Sequence, residues 1–304
     1  MSTLVEIQRV SKQFGAVHAL TDVSLQLHGG ERVAFVGSNG SGKTTLMRSM
    51  LGLLDIQGRV TIDGVDVRQR PDLALANVAY IPQVAPPLDA PVRELVRAST
   101  ALKGGSISKV SDLSGQLGID YERIAGVRLR DLSGGTKQKI LAAMALASGS
   151  QILVCDEPTA NLDEAARQAF FALVEKRPAG SLLVLCSHRS EEVRQLVDRV
   201  VELQEGRLVR DAKLASVLAD RAQTRVQVRT TTAGDIGPLQ QQLRDLGFHA
   251  LGGNAWRRQC TQAEKLQLVQ QVLTHRNHLE DLQVIDDERW TQAPVTSQPS
   301  QPQS

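Results

Sequence analysis

The sequence predicts an α/β fold, a parallel sheet with helices on both faces, followed by a small α+β domain of ferredoxin-like type. Three observations carry this. Four short apolar runs, Arg32–Val36, Val78–Ile81, Gln151–Asp156 and Ser181–Ser187, lack polar alternation and suit strands buried on both faces. Helical spacing falls between them at 44–54 and 164–176 and follows the last at 191–197, the alternation that a doubly wound sheet requires. Past Asp220, extended and helical patterns follow in the order β-α-β-β-α-β, the split arrangement of a ferredoxin-like unit.

From the N-terminus, 4–27 reads as short strands, with alternation at Val5, Ile7 and Arg9 and a turn at Phe14-Gly15. Arg32–Val36 leads straight into a glycine-rich loop, and the helix after it should place Leu46, Met50 and Leu53 on one side. A hairpin over 59–67 turns at Asp63-Gly64, and Pro82 stops the strand 78–81. The polar helical stretch 91–118, broken at Gly104-Gly105 and Gly118, begins a helical subdomain over about 84–148 that closes with the alanine- and leucine-rich helix 137–147. In the C-terminal part, Val226 and Val228 mark a strand, 239–246 a helix, Gly252-Gly253-Asn254 a turn, 263–274 a helix and 282–285 a last strand. The expected division is therefore 1–219, 220–290 and a tail, 291–304, whose Gln, Pro, Ser and Thr composition predicts disorder.

Composition narrows the partners. Lys plus Arg number 35 against 33 Asp plus Glu, so no basic footprint for nucleic acid or an anionic membrane is present, and no nucleic-acid partner is expected. Cys155, Cys186 and Cys260 are an odd number without paired spacing, which fits a reducing compartment. No apolar core follows a basic segment at the N-terminus, and no uncharged run reaches the roughly 18 residues of a spanning helix, so neither a signal peptide nor a membrane span is expected. His249, Cys260, His275 and His278 match no metal-ligand spacing.

The chemistry lies in four blocks. In Gly37-Ser38-Asn39-Gly40-Ser41-Gly42-Lys43-Thr44, glycines let consecutive N–H groups turn onto a β-phosphate at a helix N-terminus, where the macrodipole adds positive potential. Lys43 would neutralise β- and γ-phosphate oxygens, and Thr44 would offer its hydroxyl to Mg²⁺. Asp156 closes an apolar strand where a carboxylate can reach that Mg²⁺, and Glu157 follows as a general base for the attacking water. Gln83 and His188 each lie just past a strand end, Gln83 able to touch Mg²⁺ or the water and His188 the γ-phosphate. Leu132-Ser133-Gly134-Gly135 opens a helix with a hydroxyl and bare amides. That turn is either a plain N-cap or a second anion site. Since one triphosphate needs one cradle per chain, the second reading implies two copies head to tail, each giving its Ser133 turn to the other's ATP.

Together these blocks resemble the nucleotide-binding subunit of ABC transporters over about 4–211. The resemblance implies a P-loop NTPase fold of ABC type, with a RecA-like core, an antiparallel β subdomain and a helical subdomain. It matches Gly37 to Thr45 with the Walker A loop, Gln83 with the Q-loop, Leu132 to Thr136 with the signature, Ile152 to Glu157 with Walker B, Asn161-Leu162-Asp163 with the D-loop and His188 with the switch histidine. Thr45 and Asp163 thereby join the nucleotide contacts. Phe14 falls where the family, usually with Tyr, stacks a ring on adenine. Thr136 stands in place of the commoner Gln, and Cys155 in place of an aliphatic residue.

The resemblance implies an ATPase using ATP and Mg²⁺, a second such subunit as partner, separate integral membrane permease subunits, and a peripheral place on the cytoplasmic face of the membrane. The C-terminal piece is similar to extensions on export-type or ABC-2 ATPases, and the Gly-Gly-Thr-Lys-Gln-Lys variant resembles ATPases of nitrous oxide reductase copper maturation. A soluble ABC ATPase acting on ribosomes or DNA is the alternative. Relatives of that kind carry paired cassettes, coiled-coil insertions or basic arms, and none is visible here.

Overall fold

The computed structural model describes residues 3–221, 223–231 and 236–286, and its chain divides after Leu214 into two units. The tail expected over 291–304 lies outside the described residues. In the first unit, β1 (Thr3–Phe14) and β2 (Val17–His28) are 12 residues each, longer than the short strands their alternation suggests. Register breaks let them run on. Arg9 and Asp22 take positive φ at these irregularities, and their amides are satisfied by Ser24 Oγ and Ser11 Oγ, both at 2.9 Å.

Next come β3 (Arg32–Val36), α1 (Lys43–Met50), β4 (Gln57–Ile62), β5 (Val65–Asp66), the single turn α2 (Pro71–Ala74) and β6 (Val78–Ile81). Leu53 does not extend the buried stripe of α1. Gly52, at φ +68°, ends the helix first and leaves Leu53 60% exposed. The helical block holds α3 (Val92–Lys103), α4 (Ile107–Gln116), the single turn α5 (Tyr121–Ile124) and α6 (Gly134–Ala147). Then follow β7 (Ile152–Asp156), α7 (Glu164–Glu175), β8 (Leu182–Cys186), α8 (Ser190–Leu196), and a hairpin of β9 (Arg199–Gln204) and β10 (Arg207–Lys213).

Two sheets result. One is antiparallel, in the order β2-β1-β4-β5; the other runs β10-β9-β3-β8-β7-β6, parallel apart from the β9/β10 pair. Strands β7 and β8 are buried at every position, as their unbroken apolar sequence requires. One continuous core joins the two sheets through Val5, Ile7, Phe35, Leu46, Met50 and Val154, and each such side chain stabilises the fold by about 1.5–3 kcal/mol.

The second unit starts at Ala215, within α9 (Leu214–Arg221). It continues with β11 (Gln223–Thr230), α10 (Gly237–Asp245), β12 (His249–Gly252), β13 (Ala255–Thr261), α11 (Gln262–Leu273) and β14 (Leu279–Asp286). The order β12-β13-β11-β14, antiparallel throughout, is a split β-α-β sheet. Alternation explains its core: Val226 and Val228 face inward onto Leu239, Leu243, Trp256 and Leu268, while Gln227 and Arg229, the alternate positions, are less buried. Cys260 belongs to this core, whereas His249 is exposed.

Candidate active site

Parallel strands open their C-terminal ends on one edge, and ligands bind in the crevice beyond it. Four strands deliver candidate residues there: β3 to Gly37, β6 to Gln83, β7 to Asp156 and Glu157, and β8 to His188. The register sets Asp156 opposite Cys186, so the residues following each strand emerge side by side.

Close packing dictates two of the loop glycines. A Cβ at Gly37 (φ +146°) would stand 2.2 Å from the Leu203 carbonyl and 2.6 Å from Ser41 Oγ, and one at Gly42 (φ +105°) would stand 2.6 Å from the Ala19 carbonyl. The loop is buttressed from the β9–β10 turn, where Gly206 donates its amide to Ser41 O at 3.0 Å and accepts from Thr21 N at 2.8 Å. Lys43 Nζ donates to Gly37 O at 2.9 Å and Ser38 O at 2.8 Å, which holds the ammonium across the loop. Thr44 and Thr45 stand half-buried in the first turn of α1, and no side chain caps that helix start. Its first amides are therefore open to an anion. The hairpin end bearing Phe14, which is 49% exposed, belongs to the same strand pair whose Ala19 abuts Gly42. Lys12 Nζ lies 5.1 Å from the Phe14 ring centroid.

Asp156 is 1% exposed, and its Oδ1 has no hydrogen-bond partner. Burial pushes its carboxyl above the usual range and the Glu157 charge adds to this, while the Cys186 thiol, Arg48 and Lys43 pull it down. A buried carboxylate oxygen without a donor is a cation ligand in waiting. The Thr44 hydroxyl and the exposed Gln83 amide are the other oxygen donors that the sheet edge offers, and an all-oxygen set of this kind would fit Mg²⁺. Glu157 is buried at φ +48°, in left-handed backbone. Its Oε1 lies 2.8 Å from His188 Nδ1, and its Oε2 is buried without a partner. A carboxylate oxygen only accepts, so in this bond Nδ1 donates.

Ser133, Gly134, Gly135 and Asp163 stand at the starts of helices, away from the phosphate loop after β3. Ser133 caps α6, accepting from Thr136 N at 3.2 Å and pairing with Thr136 Oγ1 at 2.8 Å. Helix α6 packs on β6, and β6 stands three strands from β3, a separation on the order of 14 Å at the usual spacing. A Cβ at Gly135 would stand 2.8 Å from Asn161 O, so the signature glycine also lets the D-loop pack. Asp163 caps α7 through Ala166 N at 2.8 Å and receives Lys139 Nζ at 2.7 Å, and that ammonium holds its carboxyl below the usual range.

Sequence reasoning passes over Gln138, Lys139 and Glu192. Gln138 shares a buried stripe of α6 with Ala142 and Ala145. Buried Glu192 takes a hydrogen bond from Thr159 Oγ1, and no local pattern announces that pairing.

A phosphate-cradling loop at the mouth of a parallel sheet, with a carboxylate pair and a histidine on the neighbouring strands, defines a nucleotide-binding domain of the P-loop class. The comparisons carry this to a family. The family model described as ABC transporter matches residues 20–160. The chain is 34% identical over 228 residues to the ribose import ATP-binding protein RbsA 2 of Rhizobium meliloti (strain 1021), covering 72% of this chain and 44% of that protein. It is 30% identical over 221 residues to the Nod factor export ATP-binding protein I of Cupriavidus pinatubonensis (strain JMP 134 / LMG 1197), covering 70% of this chain and 67% of that protein. A solved dimeric structure of an ATP-binding cassette in a post-hydrolysis state, bound to ADP and Pi, shares the fold at a TM-score of 0.61 and 24% identity, over 69% of this chain and 99% of that one. The chain belongs to the ABC transporter family, and it spans about half the length of the ribose import relative.

Proposed function

We propose that this chain is the ATP-binding and ATP-hydrolysing subunit of a transporter, acting as a pair with a second copy and coupled to separate membrane permease subunits. The observation that carries the reading is the convergence of Lys43, Asp156, Glu157 and His188 on one sheet edge, with Glu157 Oε1 and His188 Nδ1 at 2.8 Å. The backbone amides of Gly37 to Thr45 bind the β-phosphate, Lys43 neutralises β- and γ-oxygens, and Phe14 stacks on adenine. Thr44, Asp156 and Gln83 hold Mg²⁺, which when bound offsets charge on the phosphate oxygens. Glu157 accepts the proton of the attacking water, and His188 steadies Glu157 and contacts the γ-phosphate.

Ser133, Gly134 and Gly135, with Asp163 beside them, complete the nucleotide site of the partner copy. Their place in the helical block, apart from the phosphate loop of their own chain, supports this head-to-tail arrangement. ATP then joins the two copies and hydrolysis releases them. Among the described residues no helix is long and apolar enough to cross a membrane. By its family the subunit works peripherally, on the cytoplasmic face, through a permease on another chain. We read 1–219 as the ATPase domain and 220–290 as an accessory domain. Export is the direction this reading favours, on the likeness of the C-terminal piece to extensions on export-type ATPases; import and export relatives both match the chain. The narrower reading of copper-enzyme maturation rests on the Gly134–Lys139 variant alone.

Glu157→Gln with MgATP tests the reading by size-exclusion chromatography and phosphate release. The variant should accumulate as an ATP-loaded dimer with hydrolysis reduced at least about 100-fold. Hydrolysis at the parent rate, or a monomer under saturating ATP, defeats it.

A further inference from the structure

Three segments that the proposed reaction needs meet at one side chain to which it gives no role. Gln138 is 1% exposed, and its Nε2 donates to Pro82 O at 3.2 Å and to Pro158 O at 3.1 Å. Both amide hydrogens are thereby used. Pro82 immediately precedes Gln83, Pro158 immediately follows Glu157, and the helix that carries Gln138 begins at Ser133. One amide thus ties the turn after β6, the turn after β7 and the start of α6.

The ties matter most at Glu157. Left-handed backbone at a glutamate persists only where its surroundings hold it. On one side Glu157 N donates to Cys186 O at 2.8 Å. On the other, the Pro158 carbonyl is bound by Gln138 and the Thr159 hydroxyl by Glu192 on α8. An apolar side chain of the same shape at 138 would leave both proline carbonyls without that donor and loosen the turn that aims Glu157. No hydrogen bond of Gln138 reaches the Gly37–Thr45 loop, so nucleotide binding to that loop without Mg²⁺, which Gln83 would help to hold, has no reason to change.

We infer that Gln138 is a positioning residue whose buried amide couples Ser133, through helix α6, to the placement of Glu157 and Gln83. This rests on the proposed ATPase reading. Engagement of Ser133 with the partner's nucleotide shifts α6, and the amide passes that shift to the two turns.

The test is a double-mutant cycle of Gln138→Met and Ser133→Ala on the full chain, following kcat, KM, binding of a non-hydrolysable ATP analogue and thermal melting. Gln138→Met should lower kcat about tenfold and leave the Kd of the analogue, measured without Mg²⁺, within about twofold. In the Gln138→Met background, Ser133→Ala should cost less than it does in the parent, because the link through which Ser133 acts on Glu157 is already broken. Gln138→Glu, the same shape with a carboxylate oxygen facing two carbonyls, should lose rate in the same way. A parental kcat in Gln138→Met, strictly additive losses, or loss of analogue binding in step with rate overturns the inference. So does failure of both 138 variants to fold, which would make the amide a stability element only. Failure of the ATPase reading looks different: the parent itself would release no phosphate.

Discussion

Glu157 and His188, 31 positions apart in the chain, meet at 2.8 Å between Oε1 and Nδ1. The pairing follows from sheet geometry. Strands β7 and β8 are parallel neighbours with Asp156 opposite Cys186, so the residues one and two places beyond these ends are brought within reach of each other. Glu157 is buried and His188 is 56% exposed on its side chain, so the histidine covers the carboxylate from the solvent side.

The first prediction concerns that cover. In His188→Ala, both carboxylate oxygens of Glu157 lose or lack a partner, since Oε2 already has none. The rate of phosphate release should fall on the order of 100-fold, while ATP-analogue binding, which rests on the Gly37–Thr45 loop, stays near the parental value. Steady-state hydrolysis alongside analogue titration checks both, and an undiminished rate would remove His188 from the mechanism.

Much of this site is legible along the chain because the strand that feeds it is one apolar run and the loop that follows is dense in glycine. Arg32–Val36 and Gly37–Thr44 could hardly be read otherwise. The β9–β10 hairpin was harder to see. Charged residues, Arg199, Glu202, Glu205, Arg207, Arg210 and Asp211, recur through it, although Glu205-Gly206 with both residues at positive φ is a turn signal. That hairpin matters to the site, since Gly206 braces Ser41 and Leu203 O packs against Gly37. Gln138 was hidden for another reason. A glutamine between two lysines reads as solvent-facing, and only the tertiary approach of Pro82 and Pro158 buries it.

The second prediction concerns Asp156 and pH. Burial is the main reason its carboxyl sits above the usual range. A carboxyl that holds its proton more tightly folded than unfolded stabilises the fold when protonated, and that stability is lost as pH rises through the raised folded value. Near neutrality the ionised group therefore costs stability, and Asp156→Asn removes the cost. Without divalent cation the variant should melt higher than the parent by on the order of 2–4 °C, and the difference should close as pH falls into the ordinary carboxylate range. Adding MgATP should stabilise the parent more than the variant, reversing the order. Melting curves in EDTA and in MgATP at several pH values decide it; a parent that melts higher in EDTA at neutral pH refutes the account.

The third prediction separates glycines that the fold needs from one that the ligand needs. At Gly37 a methyl group would have to occupy space 2.2 Å from a backbone oxygen of β9, so Gly37→Ala must displace either the loop or the strand. With overpacking and unfavourable backbone together, a loss of about 2–4 kcal/mol is expected, and binding should fall with the fold. At Gly40 the backbone also takes positive φ, +79°, yet a Cβ there meets nothing within 4 Å. Gly40→Ala should therefore cost only about 1–2 kcal/mol of backbone strain. On the proposed reading the triphosphate lies along this loop, so a methyl group in that open space would compete with it, and affinity for the ATP analogue should fall about tenfold while the domain stays folded. Denaturant titration beside analogue binding resolves the two effects. If Gly40→Ala binds as tightly as the parent, the triphosphate does not approach this face of the loop, and the cradle must be placed elsewhere on the sheet edge.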